Sequence, residues 1–113
     1  MSLPHLPFDP SFCLIGGEWQ HSASLEKLEL INPSDGSILT EIASGNENDI
    51  DAAITSAQYA FEQCWSTTPA AERGRILSNL GTLILKNIDL LSTLEALDVG
   101  KPFTPVSYTH LTL

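Results

Sequence analysis

Cys13 and Cys64 are the two thiols of the chain, and His5, His21 and His110 are its three imidazoles. Thiol chemistry needs a thiolate, generated by a neighbouring base, a cation or a helix N-terminus. Neither cysteine has such a neighbour in the sequence pattern. Cys13 stands in a strand-like run beside Leu14 and Ile15, and Cys64 falls on an apolar helical stripe. Both read as core residues, where free cysteine is common. The histidines lie in a proline-rich arm, a turn and the C-terminal stretch, none of them in a motif with an acid or a Cys. No Cys/His spacing suits zinc. Phosphate binding has no better support: G-x-G-x-x-G is absent, and Lys101 follows a helix end, where the dipole alone favours a cation. Asp98, in "LDVGKP", is a helix-end carboxylate able to accept hydrogen bonds. No catalytic and no cofactor-binding side chain is assigned from these residues.

The background chemistry narrows the partners. With 14 acids against five bases the formal net charge is −9, which disfavours phosphate backbones and anionic lipid. No nucleic-acid or membrane partner is therefore expected. An apolar fraction of 42% with 17% charged residues is ordinary globular usage, and 113 residues make at most one small domain. The opening "MSLPHLPFDP" lacks a basic n-region and carries early prolines, so it does not read as a signal peptide. No apolar run approaches the roughly 20 residues of a membrane helix. Two cysteines without a disulfide framework fit a reducing cytoplasm.

The elements that would position these side chains follow from periodicity. Residues 1–11 are proline-rich and read as a flexible arm. In "FCLIGGEWQ" the Gly16-Gly17 pair can supply the positive φ values of a two-residue hairpin turn. Leu28 and Leu30, then Ile38, Thr40 and Ile42, alternate at period two around the turn Pro33-Ser34-Asp35-Gly36, giving a second hairpin. The period then lengthens. Ile50, Ala53, Ile54, Ala57, Phe61, Cys64 and Trp65 recur at three and four, the spacing of an amphipathic helix, with Asn46 as N-cap and Glu47 and Asp49 in its first turn. Pro69 at a first helical position opens the next helix, whose stripe is Ile76, Leu77, Leu80, Leu83 and Ile84. Leu85 lies on the far side of that helix, and Gly81 within it is tolerable if another backbone comes close. Asn87 in αL ends it, and Asp89 caps a third helix bearing Leu90, Leu91, Leu94 and Leu97, which Gly100 stops. There are no internal repeats and no low-complexity segments.

Five of these stretches stand in a familiar order: "LIGGEWQ", "INPSDGSIL", "ENDIDAAITSAQYAFEQCW", "TPAAERGRIL" and "LSTLEALDVGKP". Together, across residues 13–102, they resemble the opening of the aldehyde dehydrogenase superfamily, with the betaine-aldehyde type the most similar branch. Gly16 departs from the family, which often has Asn there, but both residues tolerate positive φ. The resemblance implies an α/β fold: antiparallel hairpins and outer helices of a Rossmann-like NAD(P)-binding domain, truncated before the parallel sheet. It also implies a longer parent using NAD or NADP, working on a small-molecule aldehyde and forming a homo-oligomer. In such a parent a Cys thiolate attacks the aldehyde, hydride passes to the nicotinamide, and the thioester is hydrolysed to the acid. None of those catalytic residues falls within these positions, so the chain itself is expected to be inactive. A monovalent cation (K+ or Na+) is implied as well, its ligands here being the carbonyls of Leu30 and Ile31 and the carboxylate of Asp98.

The resemblance stops at about Thr104. Residues 105–113 resemble the translation of a sequencing-library adaptor and read as a non-native tail, leaving 12–104 as the family segment. The competing reading is a small non-catalytic α/β module whose apolar helix faces bind a partner.

Overall fold

The computed structural model describes residues 2–100; Lys101, His110 and the expected tail at 105–113 lie outside the described residues. Two antiparallel hairpins precede three helices: β1 (Cys13–Ile15) with β2 (Glu18–Gln20), β3 (Lys27–Ile31) with β4 (Ile38–Ala43), then α1 (Glu47–Gln63), α2 (Ala70–Lys86) and α3 (Ile88–Val99). Gly16 and Gly17 take φ of +62° and +79°, as the tight β1–β2 turn demands, and pair Ile15 with Glu18 across it.

The second hairpin is closed by its own side chains. Asn32 N–H donates to the Ser37 carbonyl and Gly36 N–H to the Asn32 carbonyl, both at 2.8 Å. Asn32 Oδ1 accepts from Ser34 N–H at 2.9 Å, which satisfies an amide that the turn buries. The simple alternation along β4 does not hold. Leu28 faces Ile42 and Leu30 faces Thr40, but a register shift then sets Ile31 opposite Ile38 and leaves Leu39 as an extra residue. Such a bulge re-aims the strand. Ile38, at the head of the period-two run, is solvent-exposed, and Leu39 takes a half-buried place.

Asn46 caps α1 as the sequence predicts. Its Oδ1 accepts from Asn48 and Asp49 N–H, while Asp49 accepts in return from Asn46 N–H at 2.9 Å, a reciprocal capping box. The same Asp49 carboxylate takes Ala23 N–H at 2.9 Å and so ties the β2–β3 loop to the helix. A single 3₁₀ turn, Trp65–Thr67, joins α1 to α2. Three local assignments shift. Pro69 is the N-cap of α2 rather than its first helical residue, its ψ of 149° being extended. Asn87 joins α2 to α3 at φ −109°, ψ 18°, not in αL, and Asp89 lies in the first turn of α3 instead of capping it. Gly100 does end α3 in αL, at φ +76°.

Burial is concentrated at α3. Among the described residues Leu97 is the one large apolar side chain below a tenth exposed, and Ser92 on the same helix is fully enclosed. Neither α1 nor α2 has a buried residue. A Cβ on Gly81 would meet nothing within 4 Å, so no backbone approaches it here. Leu85 is likewise exposed. The resulting shape is a plate of 49 × 36 × 19 Å with a radius of gyration of 16.9 Å. A compact chain of this size has about 13 Å.

Candidate functional site

Neither thiol forms a site. Cys64 was expected in the core, but the helix ends at this residue and it is exposed, its Sγ 4.0 Å from Thr68 Oγ1. Thr68 Oγ1 in turn donates to the Cys64 carbonyl at 2.8 Å, so the hydroxyl finishes the helix end rather than activating sulfur. Cys13 is half-buried in β1. His21 packs edge-on against Phe12 with ring centroids 4.4 Å apart, an aromatic contact. Among the described residues no group of three or more His, Cys, Asp and Glu side chains could hold a metal ion.

The concave feature nearest the predicted ligands is a cleft between α3 and the second hairpin. Leu30, Leu39, Thr40 and Ile42 form one wall, Leu94, Glu95 and Asp98 the other, and Leu3, Leu6, Phe8 and Pro10 of the N-terminal arm a third. The arm is held from two sides: Phe8 stacks on Trp19 at 5.4 Å, and the Pro10 carbonyl accepts Ala43 N–H at 3.2 Å. The lining is mostly apolar, with Glu95 and Asp98 one helical turn apart on one side, as residues three apart must be.

Leu30 and Asp98 thus border the same space, while Ile31 does not line it and is exposed. The end of α3 is nevertheless close to the end of β3. A Cβ on Gly100 would lie 3.2 Å from Pro33 Cγ, which brings the Asp98 turn alongside the residues that follow Ile31. An exposed carboxylate with strand-end carbonyls is a hard, all-oxygen donor set, the kind suited to an alkali cation and unsuited to a thiophilic metal. The part played by the arm and by Leu39 and Glu95 escaped the sequence pattern. Leu3, Leu6 and Phe8 between prolines were the available signal for the arm; the bulge that turns Leu39 inward had none.

Two carboxylates are perturbed, both away from the cleft chemistry. Asp35 is held below its ordinary value by the Ser37 hydroxyl, at 2.6 Å, and then by the Ser37 N–H. Asp9 is lowered in the same way by the Ser11 hydroxyl and N–H. These are turn-forming contacts, not activated groups.

The fold is shared with proteins of known class. The aldehyde dehydrogenase family model matches residues 19–111. An aldehyde dehydrogenase of Davidiella tassiana is 39% identical over 92 residues, covering 81% of this chain and 18% of the relative. Aldehyde dehydrogenase [NAD(P)+] 2 of Saccharomyces cerevisiae is 40% identical over 94 residues, covering 83% and 19%. Among solved structures, HpcC from Thermus thermophilus superimposes with a TM-score of 0.86 at 34% identity, over 90% of this chain and 20% of that one. A betaine aldehyde dehydrogenase of Staphylococcus aureus in complex with NAD+ gives 0.85 at 29%, over 89% and 21%. The chain spans about a fifth of the length of the curated relatives it matches. The family match over residues 19–111 and the superposition of the two hairpins and three helices agree: this chain belongs to the aldehyde dehydrogenase family.

Proposed function

We propose that the chain is the N-terminal segment of an NAD(P)-dependent aldehyde dehydrogenase that oxidises a small aldehyde to its carboxylic acid. The observation that carries this is the family match over residues 19–111 combined with superposition on structures about five times as long. In the whole enzyme a Cys thiolate outside this segment would be the nucleophile and NAD(P) would supply the hydride acceptor, while no residue of this segment is assigned to hold either reactant. Cys13 and Cys64 have no part in this, since neither sits among activating groups. The segment alone is inactive. A betaine-type substrate has support in the similarity to the S. aureus enzyme, and NAD or NADP in the names of the relatives.

Full-length assembly as a homo-oligomer and residence in the cytoplasm complete the reading; no helix among the described residues is long and apolar enough to cross a membrane. The Leu30 and Ile31 carbonyls and the Asp98 carboxylate are proposed as ligands of a K+ or Na+ ion, which would brace the end of α3 against the second hairpin. Residues 1–11 form the arm, 12–104 the family segment, and 105–113 a foreign tail. Because the family match runs on to residue 111, deletion of 105–113 is the test of that boundary, and an unchanged thermal midpoint is expected.

The deciding experiment is an assay of reduced-nicotinamide formation with the 113-residue chain and with a covalent chimera, in which residues 1–100 replace the matched fifth of the S. aureus enzyme. The chimera should turn over and the chain alone should not. Turnover by the chain above that of a Cys13→Ala, Cys64→Ala double variant would overturn the placement of the chemistry. A dead chimera that folds would favour the non-catalytic interaction module.

A further inference from the structure

The proline-rich arm touches three parts of the fold that do not pair with one another. The β1–β2 and β3–β4 hairpins are separate two-stranded sheets. Phe8 stacks on Trp19 of β2, with ring centroids 5.4 Å apart and planes within 5° of parallel. With Leu83, Ile84 and Leu90 it also borders a hollow at the α2–α3 junction. Two residues on, the Pro10 carbonyl accepts Ala43 N–H at 3.2 Å, at the end of β4. One short stretch thus reaches both hairpins and the helix pair. A local turn fixes its path. Asp9 Oδ1 accepts from Ser11 N–H at 2.9 Å and from the Ser11 hydroxyl at 2.7 Å, while the Asp9 carbonyl accepts Phe12 N–H at 3.2 Å. The turn starts between Phe8 and Pro10, so displacing one anchor drags on the other. Pro4, Pro7 and Pro10 also restrict the undocked arm, which lowers the entropy lost when it docks.

Each anchor is shallow. Phe8 is 40% and Trp19 49% exposed, and the Pro10–Ala43 contact is a single hydrogen bond. We propose that residues 8–10 are a reversible latch whose two anchors, the ring stack and the Ala43 hydrogen bond, open and close as one unit. Closed, the latch fixes the first hairpin relative to the second and to the α2–α3 junction. Open, it releases Ala43 N–H to water and takes Phe8 and Pro10 away from the cleft that Leu30 and Asp98 border. Opening on this small scale is expected of a segment with few buried contacts, well below the cost of global unfolding. The latch uses contacts made wholly within this chain, so it stands or falls apart from the family reading.

Amide hydrogen exchange of the 113-residue chain reads the latch at one proton, Ala43 N–H. The neighbouring Ser44 N–H donates to the Glu26 carbonyl at 3.0 Å, independently of the arm, and is the internal control. Phe8→Ala removes the stack and leaves the Pro10 carbonyl in the chain. It should speed Ala43 exchange about tenfold and leave Ser44 within about twofold. Trp19→Ala removes the other ring, on a different element, and should do the same. Phe8→Tyr keeps the stack and should keep Ala43 protected. If Ala43 stays protected in Phe8→Ala or in Trp19→Ala, the anchors are independent and the inference is overturned. Equal acceleration at Ser44, outright unfolding included, overturns it too, because the arm would then be part of the global fold and not a latch. Loss of protection in Phe8→Tyr has the same consequence, since ring stacking would not be what holds the arm.

Discussion

Two regions of this chain put their apolar residues to different effect. α3 and the hairpins bury Leu97, Ser92, Asn32 and Ser22 and draw the N-terminal arm across a shared cleft. α1 and α2, each of 17 residues and better patterned for a helix on a core, bury nothing. A regular stripe says that a face is meant to be covered; it does not say that the cover lies in the same chain. The arm side is closed by local devices of short reach: a turn that satisfies its own amides, a bulge, a ring stack and a glycine stop. The helix side has a capping box on α1, no side-chain cap on α2, and no second layer among the described residues. One region is closed by its own contacts, and the other leaves its apolar faces open.

The sharpest test of that contrast is a truncation measured in two contexts. Phe61→Ala in a full-length enzyme carrying this segment should cost about 3–5 kcal/mol, the range for a buried Phe. In the 113-residue chain, where Phe61 is 56% exposed, the same change should stay within about 0.5 kcal/mol. Chemical denaturation of both proteins reads the difference. Equal costs would mean that the face is not covered in the longer protein.

A second comparison stays inside the chain. Leu97→Ala removes the one large apolar side chain that is buried among the described residues, and should destabilise by about 2–5 kcal/mol. Leu80→Ala, on the open face, should fall within about 0.5 kcal/mol. If Leu80 proved as costly as Leu97, the division into a packed and an unpacked region would be lost.

How much of this was legible follows the same division. The hairpin turns, the Asn46 cap, the presence of three helices and the Gly100 stop are local and legible in the sequence, whereas the helix-end roles of Pro69, Asn87 and Asp89 are equally local and differ from their pattern. Long-range matters were not legible. Cys64 looks like a core residue because its stripe does, yet it is exposed at the end of α1. The β4 bulge exchanges Ile38 for Leu39, because register is set by cross-strand pairing and not by alternation alone. Of the predicted cation ligands, Leu30 and Asp98 border one cleft and Ile31 does not, an outcome that depends on where α3 lands against the hairpin. Periodicity identifies faces, and only packing identifies their partners.

The junction of α3 with the hairpin turn can be probed at Gly100. Its φ of +76° already excludes most side chains, and a methyl there would sit 3.2 Å from Pro33 Cγ, tighter than ordinary contact. Gly100→Ala should cost about 1–3 kcal/mol, the usual penalty for a non-glycine residue held in the left-handed region. Gly17→Ala offers the comparison, since φ is similar at +79° but a Cβ would meet nothing within 4 Å. The excess of the first over the second isolates the contact with Pro33. Equal costs would show that α3 does not press on the turn.

The smallest effect is electrostatic and tests how well ordered the turns of the packed region are. Asp35 and Asp9 each accept from a serine two residues on, first through the hydroxyl and then through the N–H, and each is lowered from 3.8. Lowering by native contacts means that the folded state prefers the carboxylate more strongly than the unfolded chain does. The associated stability is therefore complete above the ordinary carboxylate range and is lost as pH falls through the depressed folded value. Both groups are fully open to water, so solvent screening keeps the effect below what a denaturation curve resolves. Carboxyl-carbon NMR titration can resolve it residue by residue. Ser37→Ala should return Asp35 toward 3.8 and leave Asp9 where it is, with Ser11→Ala doing the converse. A Ser37→Ala chain in which Asp35 stays low would show that the backbone N–H alone holds the charge, and that the hydroxyl contact is not what shapes the turn leading into β4.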